Sequence, residues 1–250
     1  MKKHITGLFL VMITHTAVAQ DILLQTGDIQ NSIIELYTSQ GCNSCPPAEH
    51  LLNSYKQKTN LWRNVIPMAF HVDYWDYLGW KDRFAQATFG TRQRQYASMQ
   101  HRATVYTPAF IVNGKNWRPG LFSNTPPVNT NNITGKLKVR INQQIIRASF
   151  LPIQTINQPL YLNLALLGMG LKTQIKAGEN AGRLSRHEFV VLQHKRFIGQ
   201  STRWKINWPF NNFHQAPQYA MAAWITIGDS LTPLQASGTY LPGDFIQNKK

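Results

Sequence analysis

Residues 33–47 have the sequence Ile-Ile-Glu-Leu-Tyr-Thr-Ser-Gln-Gly-Cys-Asn-Ser-Cys-Pro-Pro, and this stretch decides the expected fold. Its apolar part, residues 33–38, predicts a short buried strand, and the residues from Pro46 onward predict a helix. Cys42 and Cys45 are the only cysteines in the 250-residue chain, and both lie at the turn between these elements. Any sulfur chemistry of the protein is therefore expected at this single strand-to-helix turn.

A Cys-x-x-Cys pair at the start of a helix has a defined chemical logic. The helix dipole and unpaired backbone N–H groups favour the thiolate of the first cysteine, and the second lies almost one turn further on. This spacing predicts Cys42 as the catalytic nucleophile and Cys45 as the resolving thiol. The alternative is a permanent structural disulfide, but a bridge that closes so short a loop constrains the unfolded chain little.

The segments that follow continue the pattern of strand and helix. Residues 65–72 predict a second strand, so that strand, helix and strand form a βαβ unit. An aromatic loop at 73–82 and a helix at 82–99 lead to Thr107-Pro108. A strand at 110–112 then follows, with a hairpin turn at Asn113-Gly114.

Three landmarks resemble those of a thioredoxin-like domain: residues 34–37, the segment from Cys42 to Pro46, and residues 107–114. The resemblance implies that the Thr107–Pro108 bond is cis, lies beside the disulfide and shapes the substrate groove. Three longer stretches, 35–48, 71–82 and 178–183, together resemble a bacterial family of secreted, thioredoxin-like proteins of unknown function. That resemblance implies fold and export, and it implies no reaction.

The expected fold class is an α/β thioredoxin-like domain followed by an all-β, sandwich-like domain. We place the first domain at residues 30–122 and a polar, proline-bearing linker at 123–132. Beyond the linker, apolar and polar residues alternate along several segments, which favours antiparallel strands. We place the second domain at residues 133–245.

The N-terminus predicts export. Lys2 and Lys3 precede an apolar run at 5–13, and Ala17-Val18-Ala19 has the form that signal peptidase accepts. We interpret residues 1–19 as a cleaved signal peptide, so the product is periplasmic or secreted, where disulfides persist. No later segment has 18 consecutive apolar residues, and we expect no transmembrane segment after cleavage.

The charge balance of 26 basic and 11 acidic residues gives a net charge of +15. This charge favours anionic lipid or acidic partners, whereas nucleic acid is not expected, because the sequence has no dense basic tract or RNA-binding signature. The redox hypothesis requires a protein thiol or disulfide client and a redox partner. The sequence does not determine the oligomeric state.

Other polar residues are candidates for the border of the site. His71, Asp73, Trp75 and Asp76 follow the second strand, where open α/β sheets gather functional groups. The alternative, which we favour, is an aromatic cluster that packs the two domains together while the loop still borders the site; its members are Tyr74, Trp75, Tyr77 and Trp80. Residues 178–183 predict a turn, with partner recognition by Glu179 and Arg183 as the alternative.

The sequence predicts an exported thiol–disulfide oxidoreductase whose redox group is the Cys42–Cys45 disulfide, with no other cofactor and no metal. One alternative is a non-catalytic binding protein with an inert disulfide. Another is a Cu(I)-binding assembly chaperone, in which His71 or His50 completes a site at Cys42 and Cys45, although such chaperones use a wider cysteine spacing. The dipeptide Asn43-Ser44 leaves the direction of electron flow open, since neither residue supplies a cation near Cys42.

Overall fold

The computed structural model describes residues 21–120, 125–128, 130–199, 201–210, 216–243 and 245. The predicted signal peptide and residues 123, 124 and 129 of the predicted linker lie outside these ranges. Within them, no helix is long and apolar enough to cross a membrane.

The described residues form fourteen strands and two α-helices. In chain order they are β1 (Ile22–Gln25), β2 (Ser32–Thr38), α1 (Pro46–Asn53), β3 (Val65–His71), α2 (Ala87–Met99), β4 (Ala109–Val112), β5 (Lys115–Trp117), β6 (Gly135–Asn142), β7 (Ile145–Pro152), β8 (Leu160–Met169), β9 (Leu171–Gln174), β10 (Leu184–His187), β11 (Val190–Ile198), β12 (Arg203–Asn207), β13 (Gln218–Ile227) and β14 (Gln235–Tyr240). Short 3-10 turns span Ser54–Gln57 and Asp76–Leu78.

Strands from both halves of the chain pair in one large sheet. Its eight strands run in the order β14-β13-β8-β11-β3-β2-β4-β5. Strands β2 and β3 are parallel in the register Ser32 to Val65 through Thr38 to His71, with α1 as their connection. Strand β11 pairs parallel with β3 through Val190 and Ala69, and antiparallel with β8. The predicted βαβ unit is therefore present, but within a larger sheet.

The predicted fold class is wrong. Of the described residues, 43% lie in strands and 13% in helices, and the chain does not form an α/β thioredoxin-like domain followed by an all-β domain. The physical reason is that β3 is buried along its whole length and pairs on both sides, with β2 and with β11. Unpaired strand edges attract other strands, and periodicity within β3 does not indicate which distant strand will cover its edge.

The cores lie on the two faces of the large sheet. Leu162, Leu164 and Leu166 of β8 pack with the four-stranded sheet β1-β6-β7-β12. Ala165, Leu167 and Met169 of the same strand join the core beneath α1 and α2. Because side chains alternate across a strand, one strand contributes to both cores, and the site described below lies at the α1 side.

A buried ion pair attaches α2 to β2. Glu35 of β2 is 1% exposed, and its carboxylate accepts from Arg92 Nη2 at 2.7 Å and Nε at 3.0 Å. The hydroxyls of Tyr96 and Tyr37 donate to the same carboxylate at 2.7 Å and 2.8 Å. The charge in the middle of the sheet is therefore neutralised by a partner from another element.

We predict that Arg92→Leu lowers the free energy of unfolding by about 3–5 kcal/mol, because it leaves the Glu35 carboxylate buried without its cation. Urea unfolding measures the change. Arg94→Leu, at an exposed position of the same helix, is the matched control and is expected to have a small effect. Equal losses for the two variants would contradict the role of the ion pair.

Candidate functional site

The two cysteines form a disulfide at the turn between β2 and α1, as the sequence predicts. Their Cα atoms are 5.5 Å apart, and Cys45 is the N-cap residue of α1. The Cys45 N–H donates to the Cys42 carbonyl at 3.3 Å, and the N–H groups of Ala48 and Glu49 donate to the Cys45 carbonyl. The disulfide is thus part of the first turn of the helix.

The disulfide itself is buried, although the residues between its cysteines are not. Cys42 is 1% exposed and Cys45 is fully covered, whereas Asn43 and Ser44 are exposed. The Ser44 hydroxyl oxygen lies 3.4 Å from Cys42 Sγ. Solvent and any macromolecular partner therefore meet the Asn43-Ser44 dipeptide before they meet sulfur.

The start of α1 supplies fewer backbone donors than the sequence argument assumed. Pro46 and Pro47 occupy its first two positions, and proline has no N–H group. The N–H groups of Cys45 and Ala48 are already bonded within the turn. Pro46 and Pro47 therefore give no N–H group to a Cys42 thiolate, whereas the helix dipole and the Ser44 hydroxyl can stabilise it.

The turn that connects β9 and β10 packs against the cysteine turn. Asn180 is buried, and its Nδ2 donates to the carbonyl oxygens of Gln40 and Cys42, both at 2.9 Å. Gly178 and Gly182 have φ angles of 73° and 82°, which explains the glycines on either side of it. The predicted turn at 178–183 is confirmed, and its Glu179 is exposed. The sequence did not reveal the contact made by Asn180.

Trp75 lies between the cysteine turn and the predicted groove residues. A Cβ atom at Gly41 would lie 3.3 Å from both the Cβ and the carbonyl oxygen of Trp75, so the two segments are in close contact. The Trp75 indole N–H donates to Thr107 Oγ1 at 2.6 Å. The Thr107–Pro108 bond is cis, as predicted. The structure thus connects two predicted site residues, Trp75 and Thr107, to the cysteine turn, and Pro108 follows Thr107 in the chain.

The acidic residues of the same loop hold the loop together. The Asp73 carbonyl accepts from the N–H of Asp76 at 3.0 Å, and Asp76 Oδ1 accepts from the N–H of Asp82 at 3.1 Å. Partial burial raises the pKa of Asp76. The Asp76 carboxylate thus has a structural role in the loop, whereas Asp73 contributes to it through its backbone carbonyl.

His71 is fully buried at the end of β3 and pairs with Asp82. Its Nδ1 lies 2.6 Å from Asp82 Oδ2, which also accepts from the Gln40 N–H at 2.8 Å. Burial lowers the pKa of His71, but the charge and hydrogen bond of Asp82 outweigh it, and the pKa is raised. Burial raises the pKa of Asp82, but His71 and the backbone donors outweigh it, and that pKa is lowered. Both shifts favour the charged pair beside the turn.

Glu49, His71 and His187 bring three ligand-type atoms within 4.8 Å of one another. The Trp80 indole, which only donates, bonds to Gln40 Oε1 at 3.0 Å, so the Gln40 amide nitrogen must face His187 Nε2 at 3.1 Å. His187 Nε2 then accepts, which places the proton of the neutral ring on Nδ1, 3.0 Å from Glu49 Oε2. On this tautomer His187 Nδ1 offers no lone pair to a metal ion. Among the described residues, however, His187 Nδ1 and His71 Nε2 are buried without a hydrogen-bond partner, so the group does not form a closed hydrogen-bonded network.

In the disulfide form, three of the groups named in the Cu(I) hypothesis are engaged in other contacts. The sulfurs of Cys42 and Cys45 are bonded to each other, and His71 Nδ1 is held by Asp82. His50 is exposed on α1.

Sequence reasoning missed Gln40, Glu49, Asn180 and His187, because they come from separate elements and share no spacing pattern.

The family description "Protein of unknown function (DUF1223)" matches residues 33–226. No curated protein matches the chain. Two solved structures have similar folds with a TM-score of 0.59. One is protein AGR_C_4864 from Agrobacterium tumefaciens, at 21% identity over 90% of this chain and 100% of that chain. The other is HBP35 of Porphyromonas gingivalis, at 13% identity over 86% of this chain and 76% of that one. On the family match, this chain belongs to the DUF1223 family of proteins of unknown function.

Proposed function

We propose that this protein is an exported thiol–disulfide oxidoreductase that acts on protein thiols or disulfides in the periplasm or outside the cell. The observation that carries the proposal is the Cys42–Cys45 disulfide at the first turn of α1, with the exposed Asn43-Ser44 dipeptide between its cysteines. Strand β2, the cysteine turn, α1 and the Thr107-Pro108 segment resemble, as a local arrangement, the redox centres of thioredoxin-like enzymes. The overall fold carries no part of this proposal.

The exchange reaction needs no group besides the two cysteines and the client. In the reducing direction, the Cys42 thiolate attacks one sulfur of a client disulfide, and the other client sulfur leaves as a thiolate. The Cys45 thiolate then attacks Cys42 Sγ, which restores the Cys42–Cys45 disulfide and releases the second client thiolate. Two electrons pass to the client, whose thiolates take up two protons. The reverse sequence oxidises a client dithiol.

The competing hypothesis is a non-catalytic binding protein with an inert disulfide, and the burial of both sulfurs favours it. The reduction potential separates the two hypotheses, because structural disulfides have potentials below about −300 mV. Equilibration of the full chain with glutathione and dithiothreitol buffers gives the value. A potential in the range of glutathione supports exchange, and one far below it supports the inert disulfide.

We predict that Cys45→Ser traps mixed disulfides through Cys42, because the resolving thiol is absent. The variant is incubated with an oxidised model peptide and analysed by mass spectrometry. Cys42→Ser is the matched control and is expected to trap several-fold less, since the helix N-terminus favours the thiolate of the first cysteine. If neither variant forms adducts, the exchange mechanism is wrong. If Cys45 traps as well as Cys42, the assigned roles of the two cysteines are wrong.

A second prediction concerns access to the disulfide. Asn180→Ala removes both hydrogen bonds that hold the β9–β10 turn against the cysteine turn, and the Gln40 and Cys42 carbonyls lose that donor. We expect a loss of about 1–3 kcal/mol of stability and faster reduction of the disulfide by a phosphine. Glu179→Ala, at the exposed neighbouring position, should change neither quantity. An unchanged reduction rate in Asn180→Ala would show that this contact does not control access.

A third prediction concerns the thiolate. The Ser44 hydroxyl lies 3.4 Å from Cys42 Sγ and can donate to a thiolate there, so Ser44→Ala should raise the pKa of Cys42 in the reduced protein. The pH dependence of alkylation by iodoacetamide, read by mass spectrometry at Cys42, measures this pKa. Asn43→Ala is the control at the adjacent exposed position. Equal pKa values in wild type and Ser44→Ala would exclude the hydroxyl as a source of stabilisation.

A further inference from the structure

We propose that the outer face of the four-stranded sheet binds the surface of an anionic lipid bilayer. This basic face is formed by the solvent-facing side chains of Lys138, Arg140, Arg147, Arg203 and Lys205 on β6, β7 and β12. The alternate residues of these strands, including Leu137, Ile146 and Trp204, point into the core. The buried side chains hold the strands in the sheet. The exposed side chains are not needed for this packing, so their charge can serve binding.

The strand register aligns the cations in rows. Arg140 lies opposite Arg147, which lies opposite Lys205. In the next row, Lys138 lies opposite Ser149, which lies opposite Arg203. Like charges directly opposite one another destabilise a sheet. An anionic partner that covers both rows would relieve this repulsion.

Within the described part of the chain, few carboxylates neutralise these cations. Asp21 lies 3.7 Å from Arg140, and both side chains are about half exposed. Among the residues that the structure describes, Lys138, Arg147, Arg203 and Lys205 form no ion pair with a carboxylate. A shallow depression of ≈ 560 Å³ lies between these strands, lined by the basic residues together with Ala148, Ser149, Ser201 and the largely buried Trp204. Its donors suit phosphate oxygens.

The neighbouring residues favour lipid over nucleic acid. Exposed aliphatic side chains border the basic face: Leu23 is 48% exposed beside Arg140, and Leu151 is 69% exposed in the column of Arg147. Cations together with aliphatic side chains are typical of surfaces that settle into the interface of a bilayer. Single-stranded nucleic acid instead uses exposed aromatic rings for stacking. The tryptophan of these strands, Trp204, is 6% exposed and faces the core.

The basic face contains none of the residues of the cysteine site, so this inference does not depend on the proposed function. If both are correct, the protein would carry its redox site to a membrane surface. Loss of membrane binding would leave disulfide exchange with a soluble peptide unchanged.

The test uses the full chain and vesicles of phosphatidylglycerol mixed with phosphatidylcholine, with binding to pure phosphatidylcholine vesicles subtracted. Each basic residue near an anionic surface raises affinity roughly fivefold. The double variant Arg147→Glu and Lys205→Glu should therefore bind at least about 25-fold more weakly than wild type. Binding of the wild type should also weaken as salt is added.

The control is Lys58→Glu together with Arg63→Glu, at exposed positions outside the four-stranded sheet, which changes net charge by the same amount. It should bind within a few-fold of wild type. If the two double variants lost vesicle affinity equally, the effect would be one of net charge alone, and the proposal would be overturned. The proposal would also be overturned if the wild-type protein did not bind anionic vesicles. The same holds if it bound single-stranded DNA through the basic face and did not bind the vesicles. Circular dichroism checks that both variants are folded.

Discussion

The parallel pairing of β3 with β11 is the contact on which the rest of the arrangement depends. Val190 pairs with Ala69, and the Ala69 N–H donates to the Phe189 carbonyl at 2.8 Å. Through this contact, strands from the first and second halves of the chain share one sheet. It also sets the hairpin of β9 and β10 beside the cysteine turn, so that His187 and Asn180 meet residues about 140 positions earlier. The candidate site exists only because the two halves fold as one sheet.

Gln40 shows how closely the halves are matched at the site. It is 2% exposed, and a buried amide must find partners for its donors and acceptors. Its backbone N–H bonds to Asp82, its side chain bonds to Trp80, Thr173 and His187, and its carbonyl accepts from Asn180. These partners come from both halves of the chain. Because its own donors and acceptors are all paired, Gln40 holds the turn in one position relative to the hairpin.

The local structure around the cysteines could be predicted from the sequence, whereas the global pairing could not. The apolar run before Cys42 and the prolines after Cys45 indicated strand, turn and helix, and the resemblance indicated the cis bond at Pro108. Periodicity reports which face of a strand is buried, and it does not report the partner of β3. The same limit hid Asn180 and His187, since hydrogen bonds across such a sequence separation leave no pattern. Pro46 was recognised as a helix start, but its missing N–H also removes a donor from the thiolate.

Asn180 donates hydrogen bonds to the main-chain carbonyls of Gln40 and Cys42, and neither bond involves the side chains at positions 43 and 44. The side chains of Asn43 and Ser44 are exposed, and the hydrogen bonds from Asn180 do not involve them. Substitutions at these two positions therefore leave the packing of the β9–β10 turn unchanged. In a Cys-x-x-Cys pair, these two residues are a main determinant of the environment of the first sulfur. Substitution there can tune redox potential across related proteins while the hairpin stays docked. The redox potential of the disulfide can thus change in evolution without a change in the packing of this turn.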